Sequence, residues 1–152
     1  MNEKYFKDYI KRIEIREVAI GVKEKIKRYR CAEEVFNSDI VKYELKGADR
    51  EKFICIHLDG KNRIRHYEVV SVGSLNSSIV HPREVYKAAI KSNAASVIFI
   101  HNHPTGDPTP SSDDIAITKR LVGAGKILGI KVLDHIIVGD TTHYSFSEEN
   151  LL

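Results

Sequence analysis

Two histidines stand one residue apart, His101 and His103, and the loop after them carries Pro104, Gly106, Asp107, Pro108 and Pro110 before reaching Ser111, Ser112, Asp113 and Asp114. In an extended segment, residues i and i+2 project to the same side, so both imidazoles can reach one point while Asn102 points away. Two protonated imidazoles at that spacing repel one another, and a shared divalent cation removes the repulsion. Catalytic zinc takes three protein ligands and leaves a position for water, so a third donor has to come from elsewhere in the chain. Asp114 is well placed for this. The prolines restrict the loop, Gly106 permits a tight bend, and the chain then enters a helix whose first turn holds the carboxylate. Asp107 and Asp113 are the alternatives. Ser111 to Asp114 also has the form of a helix N-cap with an acidic partner at the third helical position. The two roles are compatible, because a cap fixes the direction in which Asp114 points.

A His, His, Asp set makes a Lewis acid, and hydrolysis then needs a base. The candidates are Glu51, Glu68 and Glu84. Glu84 is explained as a partner of a helix dipole and Glu68 as a solvent-facing strand residue. His135, beside Asp134, reads as a buried, hydrogen-bonded strand histidine, with a place behind a metal ligand as the alternative. For His57, His66 and His81 the sequence assigns no role. A deaminase would require a Pro-Cys-x-x-Cys pair, which Cys31 and Cys55 cannot supply.

The elements that must position these groups follow from periodicity. "ASVIFI", ahead of His101, is a continuous apolar run that reads as a central buried strand, and ligands collect at the C-terminal ends of such strands. "KFICIHLD" and "RIRHYEVVSV", joined by "GKN", form a hairpin. "HPREVYKAAIKSN" is a helix begun by Pro82 and stopped at Asn93. A second helix spans Ser112 to Leu128, with Gly123 and Gly125 weakening its last turns. "IKVLDHIIVG" and "HYSFS" are the final strands. The alternation predicts a layered α/β domain with a mixed sheet over residues 48–152. Residues 1–47 read as an N-terminal extension, with a short strand in "RIEIREVAI" and one helix in "CAEEVFNSDIVKYEL".

The 152 residues carry a formal charge of +3, too little to announce a nucleic-acid binder. The basic run "KEKIKRYR" is read as a solvated face rather than a phosphate track. No window holds the roughly 18 unbroken apolar residues of a membrane span, and the charged N-terminus is unlike a signal peptide, so a cytoplasmic protein with no membrane partner is expected. The two cysteines are expected to be reduced, packed thiols.

"HNHPTGDPTPSSDD" resembles the His-x-His-Pro, Pro-Ser, Asp motif of the JAB/MPN+ metalloproteases, also called JAMM. Together with "GSLNSSIVHPREVYKAAIKSNAASVIFIHNHPTGDPTPS" and "LGIKVLDHIIVGD" it resembles the RadC branch in particular, from about Arg50 onward. The resemblance implies a three-layer, cytidine-deaminase-like fold and a Zn2+ ion held by His101, His103 and Asp114, the family spacing selecting Asp114 over Asp113. It implies Glu51 as general acid/base and Ser111 as a hydrogen-bond donor to a developing oxyanion. The implied reaction is hydrolysis of a peptide or isopeptide bond in a peptide or protein-conjugate substrate. Longer RadC proteins carry a helix-hairpin-helix segment associated with DNA. No copy of it is recognisable here, and the chain looks like the short form, so the family's DNA-repair label and a nucleic-acid partner are weakly supported. The alternatives are a DNA-repair-associated or scaffold domain with a structural metal, and a metal-dependent nuclease.

Overall fold

The computed structural model describes residues 28–73 and 80–152. The strand expected within residues 12–20, and most of the basic run, lie outside the described residues. Five strands form one mixed sheet in the order β2-β1-β3-β4-β5. β1 (Lys52–Leu58) and β2 (Ile64–Val72) are the expected antiparallel hairpin. Its turn is held by the Asp59 carboxylate, which accepts from the amides of Lys61 and Arg63, and by Asn62 at φ 57°.

β3 (Ser96–Asn102) is buried along its whole length, as its unbroken apolar run requires. It pairs antiparallel with β1 on one side and parallel with β4 (Lys131–Val138) on the other, while β5 (His143–Ser145) closes the far edge. Successive side chains alternate between two cores. Phe53, Cys55, Val97, Phe99 and Val132 face one core, and Ile54, Ile56, Ile98, Ile100 and Ile136 face the other.

The first core is covered by α3 (Pro82–Lys91) and α4 (Ser112–Leu128). His81 caps α3 through its ring Nδ1, which accepts from the amide of Arg83. The Tyr86 hydroxyl of α3 donates to the Leu121 carbonyl of α4 at 2.8 Å. Gly125 leaves the room for that ring, because a Cβ there would meet the Tyr86 hydroxyl and the Ile130 carbonyl. Gly129, at φ 72°, ends α4 in the left-handed conformation that glycine adopts without strain.

The second core is covered by α1 (Ala32–Phe36) and α2 (Asp39–Glu44), which make the third layer. A single helix was expected in this stretch. The chain breaks it after Phe36: the Asn37 amide donates back to the Glu33 carbonyl, and Ser38 Oγ accepts from the Val41 amide to start α2. Short polar side chains that bond the local backbone end and begin helices rather than extend them. Cys31, at the N-cap of α1, is exposed, contrary to the packed thiol expected, whereas Cys55 is buried; both are free. Among the described residues no helix is long and apolar enough to cross a membrane.

Candidate metal centre

Alternation along β3 carries His101 onto the α4 side of the sheet at the strand's C-terminal end. There the chain leaves the sheet, and the loop that follows is tied down. The His103 amide donates to the Val138 carbonyl, Gly106 to the His103 carbonyl, and Asp140 to the Gly106 carbonyl. Gly106 sits at φ 84°, and a Cβ on it would collide with the Asp140 carboxylate. Asp107 accepts from both the amide and the hydroxyl of Thr109. This rigid path delivers the start of α4 back to His101.

Ser111 and Asp114 form a reciprocal capping box. Ser111 Oγ accepts from the Asp114 amide at 3.1 Å, while Asp114 Oδ2 accepts from the Ser111 amide and hydroxyl, each at 2.7 Å. The cap and the site are one construction. It aims the carboxylate at the histidines, with Oδ1 3.2 Å from His101 Nε2 and Oδ2 3.3 Å from His103 Nε2, and the two Nε2 atoms lie 3.1 Å apart. Among the described residues, His101, His103 and Asp114 form the one group of three such side chains whose ligand atoms all lie within 4.8 Å of one another. Asp107 and Asp113 are outside it.

The donor set suits a divalent cation. His103 Nδ1 is 2.8 Å from the Asp107 carbonyl, which can only accept, so the ring proton is committed there and neutral His103 presents a lone pair at Nε2. A tetrahedral zinc with bonds of about 2.0–2.1 Å places its ligand atoms about 3.3–3.4 Å apart, close to the three separations observed. His101 and Asp114 are buried, and the His103 side chain keeps 13% of its surface exposed, so the centre opens to solvent on that ring's side.

The electrostatics agree with a cation-seeking site. Burial on its own would raise the Asp114 carboxyl, but hydrogen bonding with His101 and His103, the charge of His101 and the Ser111 amide hold it far below the usual carboxylate range. Burial lowers His101 despite the neighbouring Asp114. His103 is raised by its hydrogen bond to Asp114, against burial, with the Asp107 carbonyl helping. Burial, then the proximity of His101, pushes His135 well below the ordinary histidine range.

Of the three candidate bases, Glu51 is the one whose charge acts on both His101 and His103. The register explains this. Phe53 pairs with His101, and the same register carried past the strand ends brings Glu51, just ahead of β1, toward His103. Asn102 fixes the spot, its side chain donating to the Arg50 carbonyl at 3.0 Å and accepting from the Lys52 amide at 2.8 Å. Glu68 lies elsewhere, opposite Cys55 on β2, where burial raises its carboxyl and its charged neighbours are Lys87 and Glu84. Glu84 pairs with Lys87 at 2.9 Å on the surface of α3.

The sequence anticipates a role for His135 but not those of Asn102 and Thr118. Asn102 does point away from the histidines, but toward the backbone on either side of Glu51. His135 is both buried and bonded to a member of the site, its Nε2 lying 2.8 Å from His101 Nδ1 and its Nδ1 2.6 Å from Thr118 Oγ1. Thr118 follows Asp114 by four residues and so shares its helix face, which is the one signal that could have found it.

A family profile described as RadC-like JAB domain matches residues 30–151. Among similar proteins, a UPF0758 protein of Pelobacter propionicus is 57% identical over 129 residues, covering 85% of this chain and 56% of that protein. One of Trichlorobacter lovleyi is 55% identical over 129 residues, covering 85% and 55%. One of Methanosarcina mazei is 54% identical over 109 residues, covering 72% and 48%. The chain thus spans about half the length of the relatives it matches.

Proposed function

The chain belongs to the RadC-like JAB domain family, and from that premise we propose that it is a zinc-dependent hydrolase that cleaves a peptide or isopeptide bond. The observation that carries the reading is the triangle of two imidazole Nε2 atoms and one carboxylate, with sides of 3.1, 3.2 and 3.3 Å and one partly exposed corner. His101, His103 and Asp114 would hold the ion. Zinc, when bound, supplies Lewis acidity and lowers the pKa of water to about 7.

The remaining work falls to the chain's own side chains. Glu51, brought toward His103, takes a proton from the attacking water and returns it to the leaving amine, the acid/base exchange that amide hydrolysis requires. Asn102 keeps that carboxylate in place through the backbone on both sides. Ser111 holds Asp114 through its cap. To donate to an oxyanion as well, its hydroxyl has to turn from Asp114 Oδ2, leaving the Ser111 amide to keep the carboxylate oriented.

The test is a diverse library of linear and isopeptide-linked substrates, incubated with zinc-loaded wild-type protein and with Glu51→Gln. Cleavage by the wild type alone, with zinc retained by both, is the expected result. Cleavage of DNA in place of peptides, or equal turnover by the variant, would overturn the assignment.

A further inference from the structure

We propose that His135 and Thr118 are positioning residues that lock His101 into the tautomer with its proton on Nδ1 and its lone pair on Nε2. The inference builds on the metal-binding reading above and adds the device that prepares one of the ligands.

The argument starts from the backbone. Thr118 Oγ1 lies 2.6 Å from the Asp114 carbonyl, and a carbonyl can only accept, so the hydroxyl proton is spent there. Toward His135 Nδ1, also 2.6 Å away, Thr118 therefore acts as acceptor, and His135 carries its proton on Nδ1. Neutral His135 is then left with a lone pair on Nε2, which faces His101 Nδ1 at 2.8 Å. His101 must supply the proton for that bond. Its own Nε2 is left bare, facing His103 Nε2 at 3.1 Å and Asp114 Oδ1 at 3.2 Å. One carbonyl thus dictates a protonation state two rings away.

The circuit closes on the residue where it began. Asp114 offers its carboxylate to the site at one end and its backbone carbonyl to Thr118 at the other, so β3, β4 and α4 are linked by directional bonds as well as by packing. Water does not compete, since Thr118 and His101 are 0% and His135 1% exposed. The His135 ring lies against Phe146 with planes 11° apart and meets the edges of Phe53 and Phe99, which leaves it one orientation. The two ligand histidines also need different solutions. His103, in a loop, bonds a nearby backbone carbonyl. His101 lies within a strand whose carbonyls serve the ladders on both sides, so its acceptor has to be a side chain.

The experiment has two readouts on the full chain. Correlation of imidazole nitrogens and protons by NMR in the metal-free protein at pH 8 should show the proton on Nδ1 of both His101 and His135; a proton on Nε2 of His101 overturns the proposal. Zinc affinity measured by chelator competition should fall about 10- to 100-fold in Thr118→Val, a loss typical of partners behind a metal ligand. Thr118→Ser, which keeps the hydroxyl, should restore it, and wild-type affinity in Thr118→Val would contradict the inference. Should Thr118→Val fail to fold, the wild-type spectrum still decides. A wild-type spectrum with the stated tautomers in a protein that binds no zinc would sink the metal-binding reading and leave the tautomer assignment standing.

Discussion

The Asn102 carboxamide brackets Glu51, bonding the carbonyl of the residue before it and the amide of the residue after it. The middle letter of the His-Asn-His triplet thus holds Glu51, the proposed base, while the outer two join Asp114 in the proposed metal triangle. Asn102→Ala leaves the Lys52 amide and the Arg50 carbonyl without that partner beside a buried strand, at a cost of about 1–3 kcal/mol. Urea unfolding should show this loss. Chelator competition should show zinc affinity within a few-fold of wild type, because none of the three metal-facing groups has changed. A variant that lost zinc but kept its stability would refute the division of labour.

Glu51→Gln keeps the shape of the side chain and removes its basicity. Turnover on whatever bond the library identifies should fall on the order of 100- to 10,000-fold, with zinc content unchanged. Glu68→Gln should leave turnover near wild type, since Glu68 sits among Lys87, Glu84 and Cys55 rather than at the imidazoles.

Gly123 and Gly125 look alike in the sequence and should behave oppositely. Nothing lies within 4 Å of a Cβ placed on Gly123, so Gly123→Ala should stabilise the exposed helix position by about 0.5–1 kcal/mol. Gly125→Ala gains the same propensity but drives a methyl against the Tyr86 hydroxyl and the Ile130 carbonyl. Overpacking of that kind costs about 1–3 kcal/mol. Thermal unfolding of the two variants, one above and one below wild type, checks the packing of α3 on α4.

Acid sensitivity should have a component remote from the metal triangle. His57 is buried under α3, with Nδ1 2.9 Å from Ser92 Oγ, and Nε2 has no partner among the described residues. Burial, then the charge of His66, lowers it from 6.5 to about 4. A histidine with a lowered folded-state pKa leaves stability intact above the unfolded value and removes it as pH falls, because the unfolded chain takes up the proton first. The window runs from 6.5 down to about 4. Urea midpoints of metal-free His57→Leu should fall less steeply across it than those of wild type; an equal slope would mean that His57 is not held neutral.

Much of this architecture is legible from residue order. The unbroken "ASVIFI" reads as a central buried strand, and Pro82, Asn93, Ser111 and Gly129 punctuate α3 and α4 where local chemistry demands. The break between α1 and α2 is less visible, since Asn37 and Ser38 are tolerated inside helices and act as stops only when their side chains turn to the backbone. What stays hidden is register. Nothing near Asn102 says that Lys52 will lie beside it, and nothing near His135 says that a parallel pairing will set it opposite Phe99, beneath His101 and Thr118. Local spacing can gather His101, His103 and Asp114, which stand at the two ends of one short connection between β3 and α4. Of the groups that hold them in place, Ser111 and Thr118 are local to Asp114, whereas His135 reaches His101 through strand pairing at long sequence separation.

The central claim is that His101, His103 and Asp114 grip one divalent ion, and metal analysis of purified protein after zinc loading and desalting tests it most directly. The account predicts one zinc per chain in the wild type and a loss of most of that zinc in His103→Ala with the fold retained. Stoichiometric zinc in His103→Ala, or none in a folded wild type, would contradict it.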